Sequence, residues 1–210
     1  MKQAEKNRLS TNQIITAAIN EFAHYGYANA SLNRLCRENG ISKGKLYHYF
    51  DSKDELYYQC VNFIFFDFSS MLQNIEIDKT KSVFDNLHYY YENILQYWTT
   101  HPESCLIIKR ASLMFDSKDF KQVKEGQKKY IMTAKQNLLE ITRSGNCNAY
   151  VSNDELFEVL KAVNENLFMR KIGNAAELAI EGKNEEVQKK KKEIMALYDR
   201  MINVLLHGIL

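Results

Sequence analysis

Apolar residues recur along this chain at intervals of three and four, the period of a helix that buries one face. Ile14, Ile15, Ala18, Ile19 and Phe22 make the first such stripe, and Gly26 follows where a helix-ending glycine belongs. Ser10 to Gln13 has the form of a capping box, so the pattern predicts a first helix from about Ser10 to His24. A short second helix starts near Ser31, buries Leu32, Leu35 and Cys36, and stops at Asn39-Gly40. Ser42 then opens a third short helix that runs towards Phe50. Two short helices joined by a tight turn with a glycine, behind a longer scaffold helix, make a helix-turn-helix pattern.

The remaining chain keeps the same period. Ser52 to Glu55 is a second capping box and starts a long helix with Leu56, Cys60, Val61, Ile64, Phe65, Phe68 and Leu72 on one face. No linker composition separates it from the motif before it, so the two parts should be rigidly coupled. Thr80 to Trp98 predicts another helix, and Pro102 opens one to about Phe115. Phe120 to Ile141 follows, ended by Ser144-Gly145-Asn146. A third capping box, Ser152 to Glu155, starts a helix to about Ile172, and Gly173 to Gly182 reads as either a short helix or a loop. Asn184 can cap the last helix, along which Ile194, Leu197, Tyr198, Met201, Leu205 and Gly208 step by three and four. Glu185 and Glu186 precede Lys189 and Lys190 by four, which makes the lysine run a solvated, ion-paired face.

Composition agrees with an all-α fold: one proline and eight glycines in 210 residues are too few for the turns of a β-sandwich or barrel. With 11 Phe and 13 Tyr the chain has ample material for a core, which argues against disorder. The longest apolar stretch, Val61 to Leu72, is interrupted by Asn62, Asp67, Ser69 and Ser70, so no membrane span is expected. Met1 to Thr11 lacks the apolar centre of a signal peptide, and a cytoplasmic protein is expected. Cys36, Cys60, Cys105 and Cys147 are scattered, and His24, His48, His88, His101 and His207 are isolated. These residues suggest neither a metal site nor a cofactor, and no catalytic constellation stands out. Charge is uneven: residues 1–50 carry seven basic side chains against three acidic ones, while the whole chain is only +2. A basic first quarter suggests an anionic partner for that region.

The third predicted helix fits that partner. Leu46 and Phe50 lie four apart and face inward, which leaves Lys43, Lys45, Tyr47 and His48 on the other faces. Lysines at a helix start can reach a guanine edge or a phosphate, and the helix N-terminus itself favours phosphate. Gly44 permits close approach of the backbone to a duplex. In the second helix Ser31 can cap and donate to a phosphate, Arg34 can meet a phosphate or a base, and Arg37 reads as solvated.

Residues 14–57 closely resemble the N-terminal DNA-binding domain of the TetR family of bacterial transcriptional regulators. The matching elements are Ala18 and Phe22 with Gly26-Tyr27, Gly40-Ile41-Ser42-Lys43-Gly44, Leu46-Tyr47-His48-Tyr49-Phe50, and Lys53 with Leu56. The resemblance implies phosphate contacts for Tyr47 and Lys53, and a DNA-binding set of Ser31, Arg34, Ser42, Lys43, Gly44, Lys45, Tyr47, His48 and Lys53. The family often has threonine where this chain has Ala30-Ser31. The implied layout is a helix-turn-helix domain over 1–51 and an all-helical effector-binding and dimerisation domain over 52–210.

A single unit reads few base pairs, so specific binding calls for a homodimer on a palindromic operator. The two C-terminal helices are the expected dimer surface, through Val159, Leu160, Val163, Leu167, Ile194, Leu197, Met201 and Leu205. An apolar or aromatic effector would lie among Phe65, Phe68, Tyr90, Trp98, Arg110, Met114, Tyr130 and Phe168, with Arg110 placed to pair with an acidic ligand. The expected function is a ligand-responsive regulator, a repressor rather than an activator. Two other readings stand beside it: an all-helical enzyme or carrier with a vestigial motif, and a DNA-organising protein without a small-molecule effector. A solid, pocket-free core would favour the DNA-organising protein, and a closed apolar cavity above the long helix the effector-controlled regulator.

Overall fold

The structure, a computed structural model, describes residues 3–112, 123–144 and 153–207. Every regular element among the described residues is a helix, as expected. The first helix, α1 (Gln3–Asn29), begins seven residues before the predicted start. Ser10 therefore lies inside the helix and is not a cap; Ala4, Glu5, Lys6, Arg8 and Leu9 are good helix formers with no breaker among them. The helix is interrupted at Gly26 (φ 71°, ψ 163°), after which one further turn closes by a bond from the Ala30 N–H to the Gly26 carbonyl at 3.0 Å.

Serine caps fix the next three helices as the sequence requires. Ser31 Oγ accepts from the Arg34 N–H (3.3 Å) at the head of α2 (Leu32–Glu38). Ser42 Oγ accepts from the Lys45 N–H (3.1 Å) at the head of α3 (Lys43–Tyr49). Ser52 Oγ accepts from the Glu55 N–H (3.0 Å) at the head of α4 (Lys53–Gln73), while Glu55 reaches back to the Asp51 N–H (2.6 Å). Helices α1 to α3 form a head whose core is Ile14, Ala18, Phe22, Leu35, Leu46 and Phe50.

Helix α5 (Val83–Thr100) starts three residues later than predicted, because Ser82 caps it and Thr80 instead bonds to Asp78. Pro102 opens α6 (Pro102–Ala111), which is followed by α7 (Lys124–Ser144) and α8 (Asn153–Leu167). The ambiguous stretch is helix: a π-helical turn (Phe168–Ile172) leads into α9 (Gly173–Ile180), and Gly182 (φ 74°) ends it. Helix α10 (Asn184–His207) closes the chain. Asn184 is its first helical residue; the Val187 N–H bonds to the Lys183 carbonyl at 3.0 Å, so the cap sits one position earlier than predicted. The lysine run pairs forward, Lys190 with Glu193 at 2.7 Å, where the four-residue pairs with Glu185 and Glu186 were expected.

Helix α4 leaves the head and packs against α7, which approaches closely because position 126 is glycine. A Cβ there would stand 2.9 Å from Asn62 Oδ1 and 3.1 Å from Phe65 Cβ. Helix α6 lies between α1 and α9, and α5 packs on α10. One continuous apolar core runs from Ile14 to Ile202, so head and remainder share buried surface; Phe22 meets Tyr57 of α4 edge-on at 5.1 Å. No described helix is long and apolar enough to cross a membrane.

Candidate nucleic-acid interface

Helix α3 buries Leu46 completely and turns its other faces outward. Ser42, Lys43, Gly44, Tyr47 and His48 are exposed, Tyr47 at 53%. Among the described residues, Lys43, Tyr47 and His48 have no side-chain hydrogen-bond or ion-pair partner within the protein. An added Cβ at Gly44 would meet nothing within 4 Å. A glycine in a helix loses stability relative to alanine, and nothing inside this protein requires one there. Together these residues form a polar, cationic strip at the amino end of a short, capped helix, the shape and charge that a DNA groove accepts.

The other expected contacts are placed differently. Lys45 is half-buried and its Nζ donates to Gln13 Oε1 of α1 at 3.1 Å. Lys53 donates to the Ala28 carbonyl at 3.2 Å and lies over the Tyr27 ring at 4.9 Å. Tyr27 in turn donates to Asp54, and the carboxylate pushes its phenol up to about 12. Arg34 is not the free cation expected from the sequence. Its Nε donates to Glu21 Oε2 at 3.0 Å, its NH2 also bonds to that carboxylate, and its guanidinium stacks 3.4 Å over Tyr25. Glu21 is only 6% exposed and also accepts from the Ser31 N–H at 2.6 Å. A buried carboxylate needs such partners, so Arg34 locks α2 onto α1. The sequence reading placed Gln13 in a capping box and gave Glu21 no part in the head, although Glu21 is the one acidic residue among the apolar positions of that helix.

The core contrasts with this strip. Phe65, Phe68, Tyr90 and Trp98 are all buried. Phe68 packs 4.6 Å from Trp98 and 5.4 Å from Tyr130, and Phe65 stacks on Tyr130 at 5.8 Å. A cavity of about 20 Å³, room for one water, lies between α5, α7 and α8. Tyr90, Tyr91, Tyr130, Phe157, Leu160 and Asn164 contribute to its lining. Only Tyr90 and Tyr130 of the expected effector residues border it; Phe65, Phe68 and Trp98 fill the core beside it. Arg110 is a correction: its NH1 donates to the Phe22 and Ala23 carbonyls at 3.0 and 2.6 Å, and it does not border the cavity. Met114 and the Phe168 side chain fall outside the described residues.

Of the expected dimer residues, Leu160 and Ile194 are corrections. Each is 1% exposed and belongs to the protomer's own core. Val159 is 42% exposed, while Val163, Leu197, Met201 and Leu205 are half-buried, and Val204 beside them is 45% exposed. The Leu167 side chain falls outside the described residues. Among those described, no group of histidine, cysteine or carboxylate side chains could hold a metal, and Cys36, Cys60 and Cys105 are buried free thiols.

Comparison with known proteins places these features. The profile described as "Bacterial regulatory proteins, tetR family" matches residues 14–60, the span from α1 to the first turns of α4. An uncharacterized HTH-type transcriptional regulator of Haemophilus influenzae is 28% identical over 119 residues, 57% of this chain and 62% of that protein. An HTH-type transcriptional repressor of Streptomyces coelicolor is 26% identical over 121 residues, 56% of this chain and 57% of the repressor. The chain thus spans between about a third and somewhat under two thirds of the length of the curated relatives it matches. The crystal structure of a transcriptional regulator, FadR, from Bacillus subtilis in complex with stearoyl-CoA superposes with a TM-score of 0.67. That likeness covers 94% of this chain and 98% of that one at 16% identity, a similarity of fold.

Proposed function

We propose that this chain, whose residues 14–60 match the tetR family of bacterial regulatory proteins, is a sequence-specific, DNA-binding transcriptional regulator of that family. One observation carries the reading: the exposed, unpartnered strip of Lys43, Tyr47 and His48 along a helix held at its amino end by Ser42. Lys43 reads a base edge or a phosphate, Tyr47 and His48 take the flanking backbone, and the Ser31 and Ser42 ends of α2 and α3 present N–H groups to phosphates. Gly44 lets the helix lie close to the groove. Lys45 and Lys53 reach DNA only by leaving Gln13 and Ala28; Arg34 holds the two helices in register.

Residues 1–51 act as the reading head and 52–210 as the regulatory and dimerisation part. Two heads act together on a palindrome, with the protomers joined through the exposed Val159 and Val204 and the half-buried Leu197, Met201 and Leu205. Such a regulator acts as a repressor that a small apolar or aromatic effector relieves. The effector enters where the tyrosine-lined cavity already breaks the packing, and the site must open, because 20 Å³ admits no more than a water.

Selection of sites from a random DNA library at near-physiological salt tests the reading. A palindromic site with two half-sites about one helical turn apart is the expected result. Enrichment of no sequence, with only salt-sensitive binding, contradicts it.

A further inference from the structure

The cavity between α5, α7 and α8 has a floor and a mouth. Tyr90, Tyr91, Leu138, Phe157 and Leu160 line it and are each no more than 5% exposed, so they form the floor. Tyr130, Ile131, Lys161 and Asn164 also line it but are half-buried, so the space opens towards solvent between α7 and α8. On α7 the small Ala134 stands one turn from Ile131 and one from Leu138, which leaves a narrow gap among the rings of Tyr90, Tyr130 and Phe157. Such a floor suits a flat, apolar ring. The floor is packed, however, and the side chains with freedom to rearrange are those of the mouth. Their chemistry names the ligand.

That chemistry is one-sided. Tyr198 of α10 donates to Asn164 Oδ1 at 3.1 Å, so the amide oxygen is occupied and its N–H groups are left to donate. Asn164 Nδ2 meets Tyr130 Oη at 3.4 Å, a long bond. Tyr198 is buried and stacked on Tyr91 at 4.3 Å, which fixes this orientation of the amide. Lys161, one turn before Asn164, is the one charged lining residue among the described residues. Its Nζ stands 3.6 Å from Glu158 Oε2, too far for a hydrogen bond, and Glu158 is 67% exposed and does not line the cavity. Asp154, further back on α8, is taken by Lys135 at 2.7 Å. Burial raises the phenols of Tyr90 and Tyr91 well above the usual tyrosine range, so they too remain O–H donors. An ammonium, an amide N–H and phenol hydroxyls are set around the space, and among the described residues no carboxylate borders it. The set lacks a negatively charged acceptor, and one ammonium matches one negative charge.

We propose that the effector is a small aromatic monocarboxylate, its ring seated beside Ala134 among the floor residues and its carboxylate held at the mouth by Lys161 Nζ and Asn164 Nδ2. The inference rests on the proposed regulatory function, in which this cavity opens for an effector, and adds the ligand's chemical class and the two residues that select it. Tyr198 is a positioning residue that keeps the Asn164 N–H groups available. The ligand carboxylate takes the place of Glu158 at Lys161 and of Tyr130 at Asn164, so binding gives up only two long contacts. The room comes from the half-buried Ile131 and Lys161, which rotate towards solvent without unpacking the floor. Val159 of the proposed dimer contact lies on the opposite side of α8 from Asn164, which leaves the mouth clear.

The test uses three probes of one shape and different charge: benzoate, benzamide and benzamidine, which are anionic, neutral and cationic at neutral pH. Each is titrated calorimetrically into the full-length protein without DNA. Benzoate should bind about 10-fold tighter than benzamide, the gain from one charge-assisted hydrogen bond, and benzamidine weakest. Lys161→Met should remove that preference and leave benzamide affinity unchanged, and Lys161→Gln gives the same readout if the methionine variant misfolds. Asn164→Asp, which places a carboxylate at the mouth and keeps an acceptor for Tyr198, should reverse the order in favour of benzamidine. Equal binding of benzoate and benzamide by wild type, tightest binding of benzamidine, a preference that survives both Lys161 variants, or binding of none of the three each overturns the inference. A protein that selects a palindromic site yet ignores benzoate loses the ligand class and keeps the regulatory reading. One that prefers benzoate through Lys161 and selects no site does the reverse.

Discussion

On α3, Lys43, Tyr47 and His48 stand in solvent with no hydrogen-bond or ion-pair partner within the described protein, whereas in the core Phe65, Phe68, Trp98 and Tyr130 each face another ring. The two regions treat their aromatic rings in opposite ways. Side chains left without partners on a rigid helix are available to something outside the protein, and their chemistry indicates what that is. Side chains already packed against one another are spent on folding. An effector must displace part of that packing, so its identity is written in what can move and not in what is presently lined up.

The sharpest way to break this contrast is to remove a packed ring. Phe68→Ala should lose about 3–5 kcal/mol of stability in urea denaturation, because Phe68 is 3% exposed and touches Tyr97, Trp98 and Tyr130. Removing an exposed side chain should do the reverse. Lys43→Ala and Tyr47→Ala should leave stability within about 0.5 kcal/mol, while Lys43→Ala weakens a selected site by about 1–3 kcal/mol. If Lys53 leaves Ala28 for a phosphate, Lys53→Ala should lower the salt slope of binding by about one, read from affinities across a salt series.

A smaller effect separates the head's internal bonds from its external ones. Tyr27 keeps its proton to about pH 12 against 10 for a free phenol, because Asp54 accepts it. A group whose proton is held more tightly when folded contributes stability below its unfolded pKa and loses it as pH rises through the folded one. Tyr27→Phe should therefore be less stable by about 0.5–1.5 kcal/mol at neutral pH, and the two proteins should converge between pH 10 and 12. Smallest of all, Gly44→Ala should stabilise the fold by no more than about 1 kcal/mol and yet weaken DNA binding. A gain in both would mean the glycine serves neither the fold nor the groove.

What was legible in the sequence is what local chemistry decides. Ser31, Ser42 and Ser52 cap helices because a serine hydroxyl needs only the N–H three residues ahead. Gly26, Gly40 and Gly182 stop helices because each takes a positive φ. Long-range pairing was not legible. Arg110 looked like a lone charge near an apolar run, and its partners lie 87 and 88 residues away. Arg34 looked like a DNA contact because nothing in the spacing reveals that Glu21, 13 residues earlier, is buried beneath it. Leu160 and Ile194 share a helical stripe with the dimer candidates, and periodicity cannot say which apolar residues face the protomer's own core.

The most direct measurement of the central claim is backbone amide NMR of the full-length protein with and without a mixed-sequence duplex at low salt. The account predicts shifts concentrated on Ser31 and on Ser42 to Tyr49, diminished by Lys43→Ala, with little change at α7. Shifts centred instead on α7, around Lys135 and Arg143, with α3 unaffected, would contradict it.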